Sequence, residues 1–246
     1  MIEEAIEIRL TDGSADGVLY RADDGRRHPG VVHLTDIGGI RPAQRDMARQ
    51  LAGAGYTVLM PNVFYRTGKP PLFDFPRKMG DERTMQRFRE LASPLTPEAL
   101  DRDAAGYVDF LGEHDAVSPG PMGVAGYCFT GGMAMRTAAV RPERIAAAAS
   151  FHGGSLFTDA PTSPHLVLPR IKARLYFAHA VEDRSMPAEA IEKLNGALQA
   201  WGGAYESEIY AGAYHSWTVA DSPVYNPAQA ARAFNKLTEL FAACLG

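Results

Sequence analysis

Short runs of β-branched and small apolar residues alternate with amphipathic helical periods along almost the whole chain. Apolar residues 31–34 precede a helical period over residues 42–54, with Met47, Ala48, Leu51 and Ala52 on one face. Residues 56–61 form the next strand. Thr96-Pro97-Glu98 then opens a helix, with Thr96 as N-cap, Pro97 in the first turn, and Leu100, Ala104, Tyr107, Val108 and Leu111 as its stripe. The second half repeats the rhythm: strands at 122–127, 145–151, 175–180 and 205–210, helices at 129–140, 188–201 and 227–244. Residues 6–10 and 17–20 predict a hairpin turning through Thr-Asp-Gly-Ser-Ala-Asp. Such alternation requires an α/β architecture, a mostly parallel sheet with helices on both faces and right-handed crossovers. The βα units are too few for an eightfold barrel, so the sheet is open.

A chain of 246 residues, 46% hydrophobic and 22% charged, buries a core without disulfide or metal, and one domain over residues 1–246 is expected. The net charge of −4 argues against a nucleic acid or an anionic membrane as partner. Arginines crowd between Arg77 and Arg89, but Asp81, Glu82 and Glu90 dilute them into a solvated face. No run approaches the length of a membrane span, and the first ten residues lack the basic and apolar regions of a secretory leader. Cys128 and Cys244 match no metal spacing, and a reducing cytoplasm is the expected location. Residues 66–94 break the rhythm with Lys69-Pro70-Pro71, Phe73 and Phe75-Pro76 before a polar, helical stretch. A connection this long is either a lid over a site or a passive surface excursion.

The sharpest local feature is Gly126-Tyr127-Cys128-Phe129-Thr130-Gly131-Gly132, at a strand-to-helix junction. A nucleophile on such a turn stands above the carboxyl ends of the strands, facing unpaired N–H groups of the following helix. A small buried cysteine in tight strand-helix packing is the competing reading. Chain order separates the two. Hydrolases with this elbow run nucleophile, acid, histidine, and here Asp183 and then His215 follow, each just past a strand.

These segments resemble the dienelactone hydrolase family. The likeness rests on Gly126-Tyr127-Cys128-Phe129, on Glu182-Asp183-Arg184-Ser185-Met186-Pro187 and on Gly212-Ala213-Tyr214-His215-Ser216-Trp217. Asp36-Ile37-Gly38-Gly39 and the eight residues 61–68 extend it. The resemblance implies an α/β-hydrolase fold and hydrolysis of esters or lactones, with Cys128 as nucleophile, His215 as base and Asp183 as the orienting carboxylate. Asp36 falls where the family carries an acidic residue beside the resting thiol, so it is expected to control that thiol. The backbone N–H groups of Phe129 and Ile37 are the expected oxyanion hole. Thr130 stands where glycine is common and predicts a more crowded elbow. Val219 stands where dienelactone-cleaving members carry an arginine for the substrate carboxylate.

A small-molecule ester or lactone is therefore the expected partner, with no metal or organic cofactor; monomer and homodimer stay open. Two alternatives share the residues: an acyl or thioester transferase on the same triad, and a non-catalytic small-molecule binder. Tyr127, His152, Phe73, Phe75, Phe88, Trp217 and Val219 are the candidate pocket residues, with His152 and Trp217 equally readable as core. His33 and His179 read as structural, and Cys244 as a packing residue. With an apolar wall at Val219, neutral esters should be preferred over anionic lactones unless Arg77, Lys78, Arg83, Arg87 or Arg89 brings a cation in.

Overall fold

The computed structural model describes residues 1–246. Eight strands form one sheet: β1 (Ile2–Leu10), β2 (Gly13–Arg21), β3 (Gly30–Leu34), β4 (Thr57–Pro61), β5 (Met122–Tyr127), β6 (Ile145–Phe151), β7 (Arg174–His179) and β8 (Tyr205–Ile209). Their spatial order is β1-β2-β4-β3-β5-β6-β7-β8. The first two strands run antiparallel and the other six are parallel. Six helices complete the chain: α1 (Pro42–Gly53), α2 (Glu82–Ala92), α3 (Pro97–Glu113), α4 (Gly131–Val140), α5 (Ala188–Trp201) and α6 (Pro227–Leu245).

Each sheet face carries its own apolar core. One packs Tyr107, Val108 and Leu111 of α3, Met133 and Ala138 of α4, and Ile191, Leu194 and Leu198 of α5. The other packs Ala48 and Leu51 of α1 with Ala233, Leu237 and Phe241 of α6. Strands buried on both faces read as continuous apolar runs, and β3, β4 and β5 are buried throughout. Thr96 caps α3, its side chain accepting from Ala99 N–H, as its position before Pro97 predicts. Asn226 caps α6 in the same way through Gln229 N–H. No helix is long and apolar enough to cross a membrane.

Two departures from the expected elements have plain causes. The N-terminal hairpin turns on Thr11 and Asp12 alone, because Leu10 pairs with Gly13 and Ile8 with Ala15. Ala15 is fully buried while Gly13 and Ser14 face solvent, so polar residues on the outer face of a strand imitate a loop. Residues 164–170 form 3₁₀ turns, which a run containing two prolines conceals.

Residues 66–94 are packed rather than loosely draped. Arg66 grips the buried carboxylate of Asp103 at 2.6 and 2.9 Å, and Arg87 Nε donates to Leu72 carbonyl at 3.1 Å. Leu72, Leu91 and Leu95 reach the core. Asp81 caps α2 by accepting from Thr84 N–H at 3.0 Å. Phe73 meets both Phe75 and Phe88 edge-on at 5.7 Å between ring centroids.

Candidate active site

The loops leaving the carboxyl ends of β3, β5, β7 and β8 converge on one cleft. After β5 the chain turns sharply at Cys128, whose φ of 56° is left-handed for a residue that carries a side chain. One 3₁₀ turn over Cys128–Thr130 then leads into α4. Two glycines make this turn possible. A Cβ at Gly126 would stand 2.2 Å from the Thr130 carbonyl oxygen, and one at Gly131 would stand 2.4 Å from Ser150 Oγ and 2.7 Å from Gly153 Cα. Thr130 ties the elbow together instead of crowding it. Its hydroxyl accepts from Tyr127 N–H and donates to Leu34 carbonyl, both at 2.9 Å. The other left-handed residues with side chains, His152, Ser155, Glu182 and Ser216, lie in loops at the same edge of the sheet. Local strain of about 1–3 kcal/mol each is thus concentrated around this cleft.

His215, after β8, sits 2.6 Å from Asp183 Oδ2 through Nδ1, and Asp183 follows β7. The other oxygen, Oδ1, accepts from Ser185 N–H at 2.8 Å and from Ser185 Oγ at 2.7 Å. Burial would raise the Asp183 carboxyl, but these hydrogen bonds and the nearby imidazole hold it below its usual range. Burial likewise works against a charged His215; the hydrogen bond to Asp183 and the neighbouring Cys128 override it and push the imidazole up to about 10. Ser185 is a partner of Asp183 that sequence reading passed over. Its place two residues after an aspartate, the spacing of a local side-chain turn, is the signal that could have found it.

Asp36 does not stand free beside the thiol. Arg41 takes both its oxygens, at 2.6 and 2.7 Å, while Gly38 N–H donates to Oδ1 at 2.8 Å and Gln44 Nε2 to Oδ2 at 3.3 Å. The carboxylate therefore shapes the loop after β3, in which Gly39 N–H also returns to Asp36 carbonyl at 3.0 Å. The carboxylate expected to control the thiol is thus one half of an ion pair with Arg41. Between these anchors Ile37 lines the cleft opposite Phe129 and Cys128. Neither Ile37 N–H nor Phe129 N–H is spent on a hydrogen bond within the protein.

The cleft measures about 1010 Å³. Phe88 lines it, whereas Phe73 packs against Phe88 and Phe75 against Phe73, both outside the lining. Tyr127, His152, Trp217 and Val219 do not line the cleft; all four are buried. His152 donates or accepts through Nε2 to Thr218 Oγ1 at 2.8 Å, and its ring meets His215 at 5.2 Å and Trp217 at 5.1 Å. Burial drives its imidazole far below the usual value, so it backs His215 as a neutral ring. The wall formed by Val219 is thus absent from the cleft. Of the five basic residues named above as possible cation donors, Arg77 and Arg89 reach the lining and Lys78, Arg83 and Arg87 do not. Met85, Met133, Leu100 and Arg136 also line it, and no local motif marks them in the sequence. His33 is bound to Gln44 at 2.8 Å in the core, and no cluster of three or more His, Cys, Asp or Glu side chains could hold a metal ion.

The Dienelactone hydrolase family model matches residues 15–245. The chain belongs to the dienelactone hydrolase family. A carboxymethylenebutenolidase from Rhodococcus opacus is 28% identical over 214 residues, covering 87% of this chain and 79% of that protein. A putative carboxymethylenebutenolidase from Salmonella typhi is 26% identical over 229 residues, covering 90% and 79%. Among solved structures, a putative dienelactone hydrolase from Klebsiella pneumoniae superposes with a TM-score of 0.86 at 20% identity, covering 98% of both chains. The dienelactone hydrolase-like promiscuous phosphotriesterase P91 from metagenomic libraries gives 0.79 at 20% identity, covering 100% of both. This dienelactone hydrolase family member has the α/β-hydrolase fold and is a hydrolase of the ester or lactone type.

Proposed function

We propose that this enzyme cleaves small-molecule carboxylic esters or lactones through an acyl-cysteine intermediate, with Cys128 as nucleophile, His215 as proton carrier and Asp183 as its orienting carboxylate. The observation that carries the reading is the left-handed Cys128 at the floor of the cleft, facing a His215 whose far nitrogen is held 2.6 Å from Asp183. With the proton already on His215, the Cys128 sulfur attacks the carbonyl carbon as a thiolate. The carbonyl electrons move onto oxygen, where the unspent N–H groups of Ile37 and Phe129 receive the developing charge, a contribution of about 3–4 kcal/mol per donor. Collapse expels the alkoxide, which takes the proton from His215. Water, deprotonated by the same imidazole, then attacks the thioester; the acid leaves and the thiolate is restored beside the protonated His215.

Arg77 bears on the choice of substrate. Its guanidinium lines the cleft beside Gly38, and its one ionic contact is to Asp221 at 3.5 Å. Burial and the neighbouring Arg41 lower its proton affinity, which marks a cation short of counter-charge. A carboxylate on the substrate would supply that charge. This replaces the expectation of a preference for neutral esters, which rested on a Val219 wall.

The test is turnover of p-nitrophenyl acetate by wild type and Cys128→Ala, with intact mass measured during turnover. A loss of at least 100-fold and an acetyl adduct on the wild-type chain alone are expected. Equal rates in the two proteins would overturn the assignment.

A further inference from the structure

The cleft is much larger than a small lactone requires, and its excess volume has a direction. At about 1010 Å³ it lies at the upper end of the range for drug-sized ligands, roughly 300–1,000 Å³. Gly132, Met133 and Arg136 line it from one side, so it follows α4 away from Cys128 for the helix's first six residues, about 9 Å. Met85, Phe88 and Ala92 line it from α2, at a spacing that puts all three on one helix face, with the exposed Arg89 beside them. Leu100 of α3 closes the far side. None of these side chains carries a reacting group, and all except Arg89 and Arg136 are apolar. Arg136 is committed to Asp101 at 3.2 Å and Thr162 carbonyl at 2.9 Å, so its charge is already answered.

We infer that the substrate carries an extended apolar arm, alkyl or aryl-alkyl, laid along α4 beneath α2. The inference rests on Cys128 being the nucleophile, because that fixes the end of the groove where the ester bond sits. Phe88 is the pivot of the roof, pressed into place by Phe73 and held over the groove by α2. Methylenes entering this groove leave water for apolar contact, and the gain reaches kcat/KM when the arm also steadies the carbonyl against Cys128. The groove accepts an arm from either side of the ester, so acyl and alcohol arms are to be tested separately.

The experiment uses two series on the wild-type enzyme: p-nitrophenyl acetate, butyrate and hexanoate for the acyl side, and ethyl, butyl and hexyl acetate for the alcohol side. A rise of at least tenfold in kcat/KM from the shortest to the longest member of one series is expected. Flat or falling values in both series overturn the inference. Ala92→Trp, which fills the far end, should cut the long-to-short ratio at least fivefold in the series that rises. Phe88→Ala, which removes part of the roof, should lower the same ratio, and an unchanged ratio in every variant that folds also overturns the inference. If Cys128→Ala turns over acetate like wild type, the assignment of the nucleophile has failed. If Cys128→Ala is inactive and both series are flat, that assignment stands and only the arm has failed.

Discussion

Arg41 holds Asp36 at two points, 2.6 and 2.7 Å, and with the rest of its guanidinium holds Asp221 at 2.7 and 3.0 Å. One half-buried cation thereby joins the loop after β3 to the loop that follows His215. Arg41→Gln leaves the Asp36 carboxylate buried without its cation, at a cost of about 3–5 kcal/mol in stability. The two halves of the pair should act on Cys128 with opposite sign. Arg41→Gln leaves a bare negative charge near the thiol and should slow alkylation by iodoacetamide, whereas Asp36→Asn leaves the guanidinium and should quicken it. Alkylation rates of both variants at one pH check this, and shifts of the same sign would refute it.

The proton on His215 is expected to set the alkaline limit of activity. The imidazole is pushed up to about 10 from its usual 6.5, so the proton destined for the leaving alcohol is present through neutral pH and lost as pH rises through about 10. The folded state binds this proton more tightly than the unfolded chain. Its contribution to stability is therefore complete below about 6.5 and disappears as pH climbs to about 10. Asp183→Asn removes the carboxylate that supports the charged ring, and the alkaline limb of kcat/KM should move toward neutrality. Parallel pH-rate profiles of the two enzymes provide the measurement.

Thr130 is expected to matter for stability before it matters for chemistry. In Thr130→Val the buried Tyr127 N–H and Leu34 carbonyl lose their shared partner. Leaving such groups unpaired costs about 1–3 kcal/mol each. Urea denaturation should show a lower midpoint for Thr130→Val and near recovery for Thr130→Ser, which restores the hydroxyl.

Arg77 offers a specificity test. In Arg77→Gln, kcat/KM for a carboxylate-bearing lactone should fall at least tenfold more than for a neutral lactone of similar size. Equal losses on both substrates would remove Arg77 from substrate recognition and leave it as a tie to Asp221.

Element order was legible because buried parallel strands and amphipathic helices differ in period, and Met122–Tyr127, Ile145–Phe151 and Ala188–Trp201 fall where the pattern puts them. Cys128, Asp183 and His215 were legible because each follows a strand, in a chain order that few arrangements share. The cleft wall was not. Trp217 and Val219 lie close to His215 in sequence, yet the chain there turns inward and both are fully buried. Arg77 and Phe88 are distant in sequence from the elbow, and only the folding of residues 66–94 over the sheet brings them to it. The pairing of Asp36 with Arg41 was hidden for a different reason. A single carboxylate in a sequence does not announce its counter-ion, and here that cation stands at the N-cap of α1.

The sheet order described above acts as a ruler. Ile37, Cys128, Asp183 and His215 each hang from the end of a different strand, and β3, β5, β7 and β8 belong to one run of parallel neighbours with only β6 interposed. Their lateral spacing is therefore counted out in strand widths of about 4.7–4.9 Å, a pitch set by backbone hydrogen bonds and indifferent to side chains. The segment 66–94 is inserted after β4, on the other side of β3, in a strand that contributes none of these four groups. Grafting a foreign segment between β4 and α3 would exchange the wall that meets the substrate and leave that pitch untouched.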